Sequence, residues 1–166
     1  MQQQNKQQGY PRDRGRSYGQ TKGPFGGNGM VSLPNPVFVK YYKDEEKKIL
    51  DADLLDEKAK ERAISFKQLK PTQMRRFYDE IKAIERKIMT GKDIEECEEN
   101  FKRDRALIVM LKAKAVYAEK RGVSPREFTQ FVFDHVGSVQ DLKDFKGFVK
   151  AFEAVVAFHK FFAPER

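Results

Sequence analysis

From Pro36 onward, apolar residues recur at spacings of three and four, the period at which side chains stack along one face of a helix. The clearest run is Met74, Phe77, Tyr78, Ile81, Ile84 and Ile88, in a segment that Pro71 opens and Gly91 closes. Arg75, Lys82 and Arg86 fall on the opposite side of the same helix. One face therefore suits a core, and the other is free to meet an anion.

The same period predicts further helices. Asp53 is placed to cap one that reaches Phe66, with Leu55, Ala59, Ile64 and Phe66 facing inward. Asp93 with Glu96 makes a capping pair for a long helix that runs towards Arg121 and stops at Gly122. At ~1.5 Å per residue it is about 40 Å long, and Leu107, Ile108, Leu111, Ala115 and Ala118 are its expected inward residues. Ser124-Pro125-Arg126-Glu127 reads as an N-cap, a first-turn proline and a reciprocal glutamate, followed by Phe128, Phe131, Val132 and Val136 on one face. The last helix spans about Asp141 to Phe161 and is the most aromatic. Ten of the fourteen phenylalanines lie at or after Phe101, so the C-terminal helices should supply most of the core.

The last helix carries apolar residues on more than one side, which fits either a wide core face or surface covered by another chain. Val37 to Tyr42 is β-prone and reads as a short helix or an extended arm. Period-two alternation is otherwise nearly absent. The expected fold class is all-α: a compact bundle of about five helices over residues 37–166.

Residues 1–36 differ in kind. They hold seven of the eleven glycines and four of the seven prolines, with a Gln-rich start and little aliphatic content. Such a segment buries too little apolar area to offset the entropy of ordering it, and reads as a disordered or extended tail. Its Arg12 to Gly19 stretch mixes Arg, Gly and Tyr as sequence-tolerant RNA-binding tails do, although an inert solubilising extension is the preferred reading. Gly26-Gly27-Asn28-Gly29 lacks the Lys-Ser/Thr and the helix start of a phosphate-cradling loop.

Charge narrows the function classes. The chain has 166 residues with 33 Lys and Arg against 25 Asp and Glu, a net charge of +8, a pI near 9.5 and a mean hydropathy of -0.75. The excess is shared between the tail and the helical part, which implies an anionic partner: nucleic acid first, an acidic protein surface second. The start is Gln-rich rather than apolar and no run approaches the ~18 to 20 apolar residues of a membrane span, so a cytoplasmic protein with no membrane partner is expected. Cys97 is the single cysteine, which excludes an intramolecular disulfide and a thiolate zinc site. It is expected to pack as a small hydrophobe.

Catalytic chemistry has little support. His135 and His159 stand in different helices, and there is no nucleophile elbow or nuclease-type carboxylate pattern. Glu95, Glu96, Glu98 and Glu99 lie in the first turns of a helix, where carboxylates complement the dipole. No catalytic residue, metal ligand or cofactor is assigned, and His159 beside Lys160 is kept as a minor member of a basic surface.

Binding chemistry is better represented. Lys70 is a poor N-cap, so the backbone N–H groups of Thr72, Gln73 and Met74 are left for a phosphate, within reach of Lys67, Lys70, Arg75 and Arg76. A cap by Thr72 is the competing reading. Lys112, Lys114, Lys120 and Arg121 occupy the C-terminal half of the long helix. Paired with the Arg75 face, they suggest a groove that reads charge rather than sequence.

Three segments in order carry a family resemblance: Leu69-x-x-x-Gln73-x-Arg75-x-Phe77-Tyr78, Leu111-Lys112-Ala113-Lys114-Ala115-Val116-Tyr117, and Phe152-Glu153-Ala154-Val155-Val156-Ala157-Phe158-His159-Lys160. Over about residues 45 to 162 the chain resembles the small subunit of type III-A CRISPR effector complexes, the Csm small-subunit family. Ala113 stands where that family often has proline, Phe158 where it often has tyrosine, and the Gly/Gln/Arg tail looks unlike most relatives. The resemblance implies a non-catalytic helical bundle present in several copies, stacked as an inner filament beside the repeated backbone subunits and touching the large signature subunit. It implies contacts with guide and target RNA at phosphate and sugar, through Gln73, Arg75, Lys112, Lys114, Arg121 and Lys160, with Phe77, Tyr78 and Tyr117 packing behind them. Arg76, Lys82 and Arg86 join these RNA-binding candidates on charge alone.

Two rival functions are a protein-only helical scaffold whose basic faces meet acidic partners, and a small metal-dependent nuclease.

Overall fold

The computed structural model describes residues 32–163, so the expected tail lies almost wholly outside the described residues. One helical turn and five longer helices follow each other: α1 (Ala52–Leu55), α2 (Glu57–Ser65), α3 (Pro71–Ile88), α4 (Ile94–Lys120), α5 (Arg126–Ser138) and α6 (Leu142–Phe162). Among the described residues the one β-type pairing is an isolated bridge between Tyr42 and Leu50. The class is all-α, as the apolar spacing predicts.

Local chemistry sets the helix ends. Asp93 accepts from the Glu96 amide at 2.9 Å, while the Glu96 carboxylate takes the Lys92 amide at 2.8 Å. Asp141 and Asp144 make the same reciprocal pair at the start of α6. At the end of α4, Gly122 adopts φ +68 and the Val123 and Gly122 amides return to the carbonyls of Ala118 and Glu119, which satisfies two orphan acceptors. A residue with a Cβ pays strain in that conformation, which is why the helix stops at a glycine.

Three expectations about starts and faces are corrected. Asp51, not Asp53, caps the first turn, and an irregular Asp56 (φ -115, ψ -99) breaks the segment into α1 and α2. Pro125 sits at the cap position of α5 in extended conformation and Ser124 is buried with its hydroxyl unpartnered, so the reciprocal Ser124–Glu127 box does not form. Ile64 and Leu107 point outward and Leu55 is half-buried. A period of 3.6 places these residues at the flank of their stripes, and tertiary packing decides which flank is covered.

The core is built on α5 and α6. Phe128 and Phe131 of α5 and Phe145, Phe148 and Phe152 of α6 are all nearly inaccessible, and Phe66 and Phe77 close on Phe128 at ring separations of 5.4 and 4.9 Å. Helix α6 packs on α2 along one side and on α3 along another. The wide-face reading is therefore correct for most of it, with Phe161 the large apolar side chain left outside. Cys97 is buried, as expected of a small hydrophobe.

Val37 to Tyr42 is an extended arm that runs over α5. The Val37 amide donates to Asp134 Oδ1 at 2.8 Å, the Val39 amide to Ser138 Oγ at 2.7 Å, and the Tyr41 hydroxyl to the His135 carbonyl at 3.0 Å. Contact with the bundle begins before Val37, since Gln130 donates to the Asn35 carbonyl at 2.8 Å. Tyr41 is 2% exposed and lies over Gly147, where an added Cβ would stand 2.7 Å from the tyrosine Cβ. Gly147→Ala should accordingly destabilise the protein by about 1–3 kcal/mol through overpacking. Urea unfolding measures it, and in a Tyr41→Ala background the same substitution should cost much less.

His135 is buried among Tyr41, Phe131 and Phe148, and burial holds its pKa down at about 3, against 6.5 for a free imidazole. Burial also lowers His159. In the unfolded chain both histidines take up a proton near pH 6.5 that the folded state refuses, so stability is full above that pH and declines as pH falls towards 3. Between pH 6 and 5, where the carboxylates are still mostly ionised, the slope should approach about 1.4 kcal/mol per pH unit from His135, with His159 contributing in the same direction. Urea midpoints across that interval provide the check; a flat profile would contradict the burial of both imidazoles.

Candidate nucleic-acid interface

Helix α3 is flanked on both sides by antiparallel neighbours. Lys87 with Asp104 (2.8 Å), Lys114 with Glu80, and the Asn100 amide on the Ile88 carbonyl (3.1 Å) fix α4 against it. Tyr78 Oη on Glu153 (3.1 Å) and Lys82 near the same carboxylate (3.5 Å) fix α6 on the other side. With α4 and α6 both running against α3, their C-terminal ends arrive beside its N-terminal end. One end of the bundle therefore collects Gln73, Arg75 and Arg76 from the first turns of α3, Arg121 from the end of α4 and Lys160 from the last turn of α6.

Arg75 and Lys160 line one groove of about 320 Å³ between α3 and α6, with Pro71, Met74, Tyr78 and Val156 as its apolar wall and His159 at its floor. His159 is 1% exposed. Its ring approaches the carbonyls of Phe66 and Leu69, yet Nε2 reaches no partner at hydrogen-bond distance. Burial favours the neutral form, so the cations of the groove are Arg75 and Lys160. Arg76, one residue on, stands about 100° round the helix and faces the α4 side, where Arg121 stacks over the exposed Tyr117 ring at 5.5 Å.

Not every candidate cation is free. Lys114 pairs with Glu80, and Lys82 with Glu85 and Glu153; its hydrogen bond to Glu85 raises the Lys82 pKa. Burial tends to raise Glu153, but hydrogen bonds from Lys150 and Tyr78 outweigh it and keep that carboxyl below its usual range. Arg75 has only a loose approach to Asp79 at 3.8 Å across an exposed surface, a geometry worth little. Arg76, Arg86, Arg121 and Lys160 make no ion pair among the described residues.

The expected pairing of the Arg75 face with both lysines of α4 does not occur as one groove. Lys114 turns towards α3, whereas Lys112 turns towards α5, over the Phe133 ring at 5.4 Å and beside Gly137. Two positions on a helix are 200° apart, so residues 112 and 114 cannot share a face. Arg86 lies on the exposed face of α3, two to three turns from the Arg75 end. At the start of α3, Lys70 provides no side-chain cap, as expected, but its carbonyl accepts from both Gln73 (2.8 Å) and Met74 (3.1 Å). That leaves the Thr72 amide as the one of the three without an acceptor, a smaller anion site than the sequence suggests.

Residues that sequence reasoning missed are the carboxylates that occupy the lysines. Lys82 and Glu85 are three apart on one helix, so that pair was readable. Glu80 and Glu153 become partners through the register of α3 against its neighbours, which no local pattern reports. Among the described residues, no three His, Cys, Asp or Glu side chains converge as a metal site would require, and no helix is long and apolar enough to cross a membrane.

A family model described as Csm2 Type III-A matches residues 50–165. No curated protein and no solved structure gives a match.

Proposed function

The chain belongs to the Csm2 family and is thus a small subunit of a type III-A CRISPR complex, and from that premise we propose that it is a non-catalytic RNA-binding liner of the particle. Guide and target RNA are its ligands, held by phosphate and sugar without regard to base. The repeated backbone subunits, the large signature subunit and further copies stacked as an inner filament are its protein partners. The observation that supports this reading best is the gathering of Arg75, Arg76, Arg121 and Lys160 at one end of the bundle with little competition from internal carboxylates.

The chemistry is positioning. Guanidinium and ammonium groups on helix ends bind phosphate through charge-assisted hydrogen bonds, and Gln73 adds an amide donor. Because these groups stand on helices or, for Arg121, on the residue that caps one, their spacing is set by the packing of α3, α4 and α6. An RNA backbone can follow such a surface whatever its bases. Lys112 and Arg86 extend it to neighbouring faces, where an adjoining copy or subunit would complete the path, while Lys82 and Lys114 act mainly as struts between helices.

RNA titrations followed by fluorescence anisotropy test the assignment. Arg75→Glu, Arg121→Glu and Lys160→Glu should each lower affinity at least tenfold, equally for oligo(U), oligo(A) and mixed sequence. Neutralising about four phosphates of a single strand gives a slope of log K against log salt of roughly -3, and each lost cation should make it shallower by about 0.7. Lys82→Gln and Lys114→Gln should change affinity far less. A base-dependent loss would refute contact with phosphate and sugar alone, and charge reversals without effect would refute the surface and favour the scaffold reading, in which the basic end meets an acidic protein.

A further inference from the structure

His159 stands in the last turn of α6, 1% exposed, beside the exposed Lys160. A buried imidazole makes two demands. In the neutral form that burial favours, one ring nitrogen is an N–H donor and the other a lone-pair acceptor. The carbonyls of Phe66 and Leu69 lie beside the ring, and only the N–H suits them. The acceptor nitrogen is left over, and among the described residues no donor of the chain is hydrogen-bonded to it. An unmet polar atom at this depth is uncommon, and one on the floor of a groove points to a ligand that brings a donor.

The groove narrows what that ligand is. Arg75 stands on its α3 wall and Lys160 on its α6 wall, with Met74 and Val156 as apolar surface above the His159 floor. Its volume of about 320 Å³ lies at the small end for a ligand site, room for one nucleotide unit and not for a duplex. The cations call for an anion, the apolar surface for a ring rather than a bare ion, and the floor for an O–H or N–H. A ribonucleotide unit supplies all three, as phosphate, furanose and 2′-hydroxyl. DNA supplies the first two alone.

We propose that His159 accepts a hydrogen bond from a ribose 2′-hydroxyl while Arg75 and Lys160 hold the flanking phosphates, so that this groove distinguishes RNA from DNA. This role rests on the RNA reading above and adds to it a criterion for the strand that enters. Every ribonucleotide carries the hydroxyl whatever its base, so selection by sugar is compatible with indifference to sequence. Charge supplies most of the affinity and His159 the selectivity. A second acceptor competes for the same hydroxyl: Asp79 lines the groove 3.8 Å from Arg75, but its side chain is 64% exposed. A hydrated carboxylate gives up water to take the hydroxyl, whereas the buried imidazole gives up nothing.

Fluorescence anisotropy with the full chain and three oligo(U) strands of equal length, carrying 2′-hydroxyl, 2′-deoxy or 2′-fluoro sugars, tests the assignment. Fluorine preserves the sugar pucker of RNA but cannot donate. The hydroxyl strand should bind about three- to tenfold more tightly than either of the others, the worth of one neutral hydrogen bond, with the same salt slope for all three. His159→Phe keeps an aromatic ring in the buried position and removes the acceptor; it should bring the ratio to about one, whereas Asp79→Asn should not move it. A readout that needs no variant is the imidazole nitrogen resonance of His159 in labelled parent protein, which should shift further with the hydroxyl strand than with the 2′-fluoro strand. Equal affinity for the three sugars would overturn the role of His159 and leave the phosphate surface standing, while absence of RNA binding would remove both. A ratio that survives His159→Phe would also overturn it, as would one that Asp79→Asn abolishes, which would place the hydroxyl on the rim carboxylate.

Discussion

The aromatic contact between α5 and α6 is the constraint from which the remaining geometry follows. Phe128, Phe131, Phe148 and Phe152 present four rings between two consecutive helices, and each ring is removed from water almost completely. Burial of a single such side chain stabilises by about 1.5–3 kcal/mol. Three further segments are placed by how they cover this cluster: the end of α2 through Phe66, α3 through Phe77, and the arm through Tyr41, which meets His135 and lies over Gly147. Once the inner faces are committed to aromatic packing, helix direction is no longer free. α3, α4 and α6 then meet with their ends in register, and the electropositive end of the bundle is a by-product of how the core fits.

That origin explains which cations remain available. A lysine or arginine in the middle of a helix has neighbours on adjacent helices, and in a chain with this many glutamates one of them is usually within reach; Lys82 and Lys114 both illustrate it. A cation in the first or last turn has fewer flanking residues. Lys160 and Arg121 favour the C-terminal carbonyls of their own helices and keep their remaining donors for solvent or a ligand. Arg75 and Arg76 stand at the opposite polarity, where the α3 dipole already attracts an anion. The end of the bundle is thus suited to phosphate for two separate reasons, side-chain charge and backbone orientation, although the Lys70 carbonyl takes up most of the second.

Element type was legible in the sequence wherever a period of 3.6 ran beside a capping residue. Asp93, Asp141, Pro71 and Gly122 act as their positions suggest. The misreadings share a cause. Ser124 and Asp53 had the right chemistry for caps, but Pro125 stays extended and Asp51 comes first, and a backbone dihedral is not written in residue type. Ile64 and Leu107 are apolar without being covered, because coverage depends on a second element. The candidate site divided on the same line: residue identity indicated which side chains carry charge, whereas their grouping into one end, one groove and several internal pairs required the register of three helices.

Helix α4 shows what a single chain leaves unfinished. Its acidic first turns complement its own dipole and its cations complement the other end, so local stability alone would account for the charges. It does not account for the exposed apolar stripe of Val109, Met110 and Tyr117 between them. An outward face made of lysine and glutamate would serve the helix equally well in water and would carry less risk of association. Ala113 keeps the stripe continuous, since a proline there would interrupt the hydrogen-bond ladder halfway along it, and α4 runs unbroken from Ile94 to Lys120. A continuous helix with one face in the core and a polarised, partly apolar face in solvent meets the needs of the bundle with the first face alone, so its own fold sets no requirement on the second.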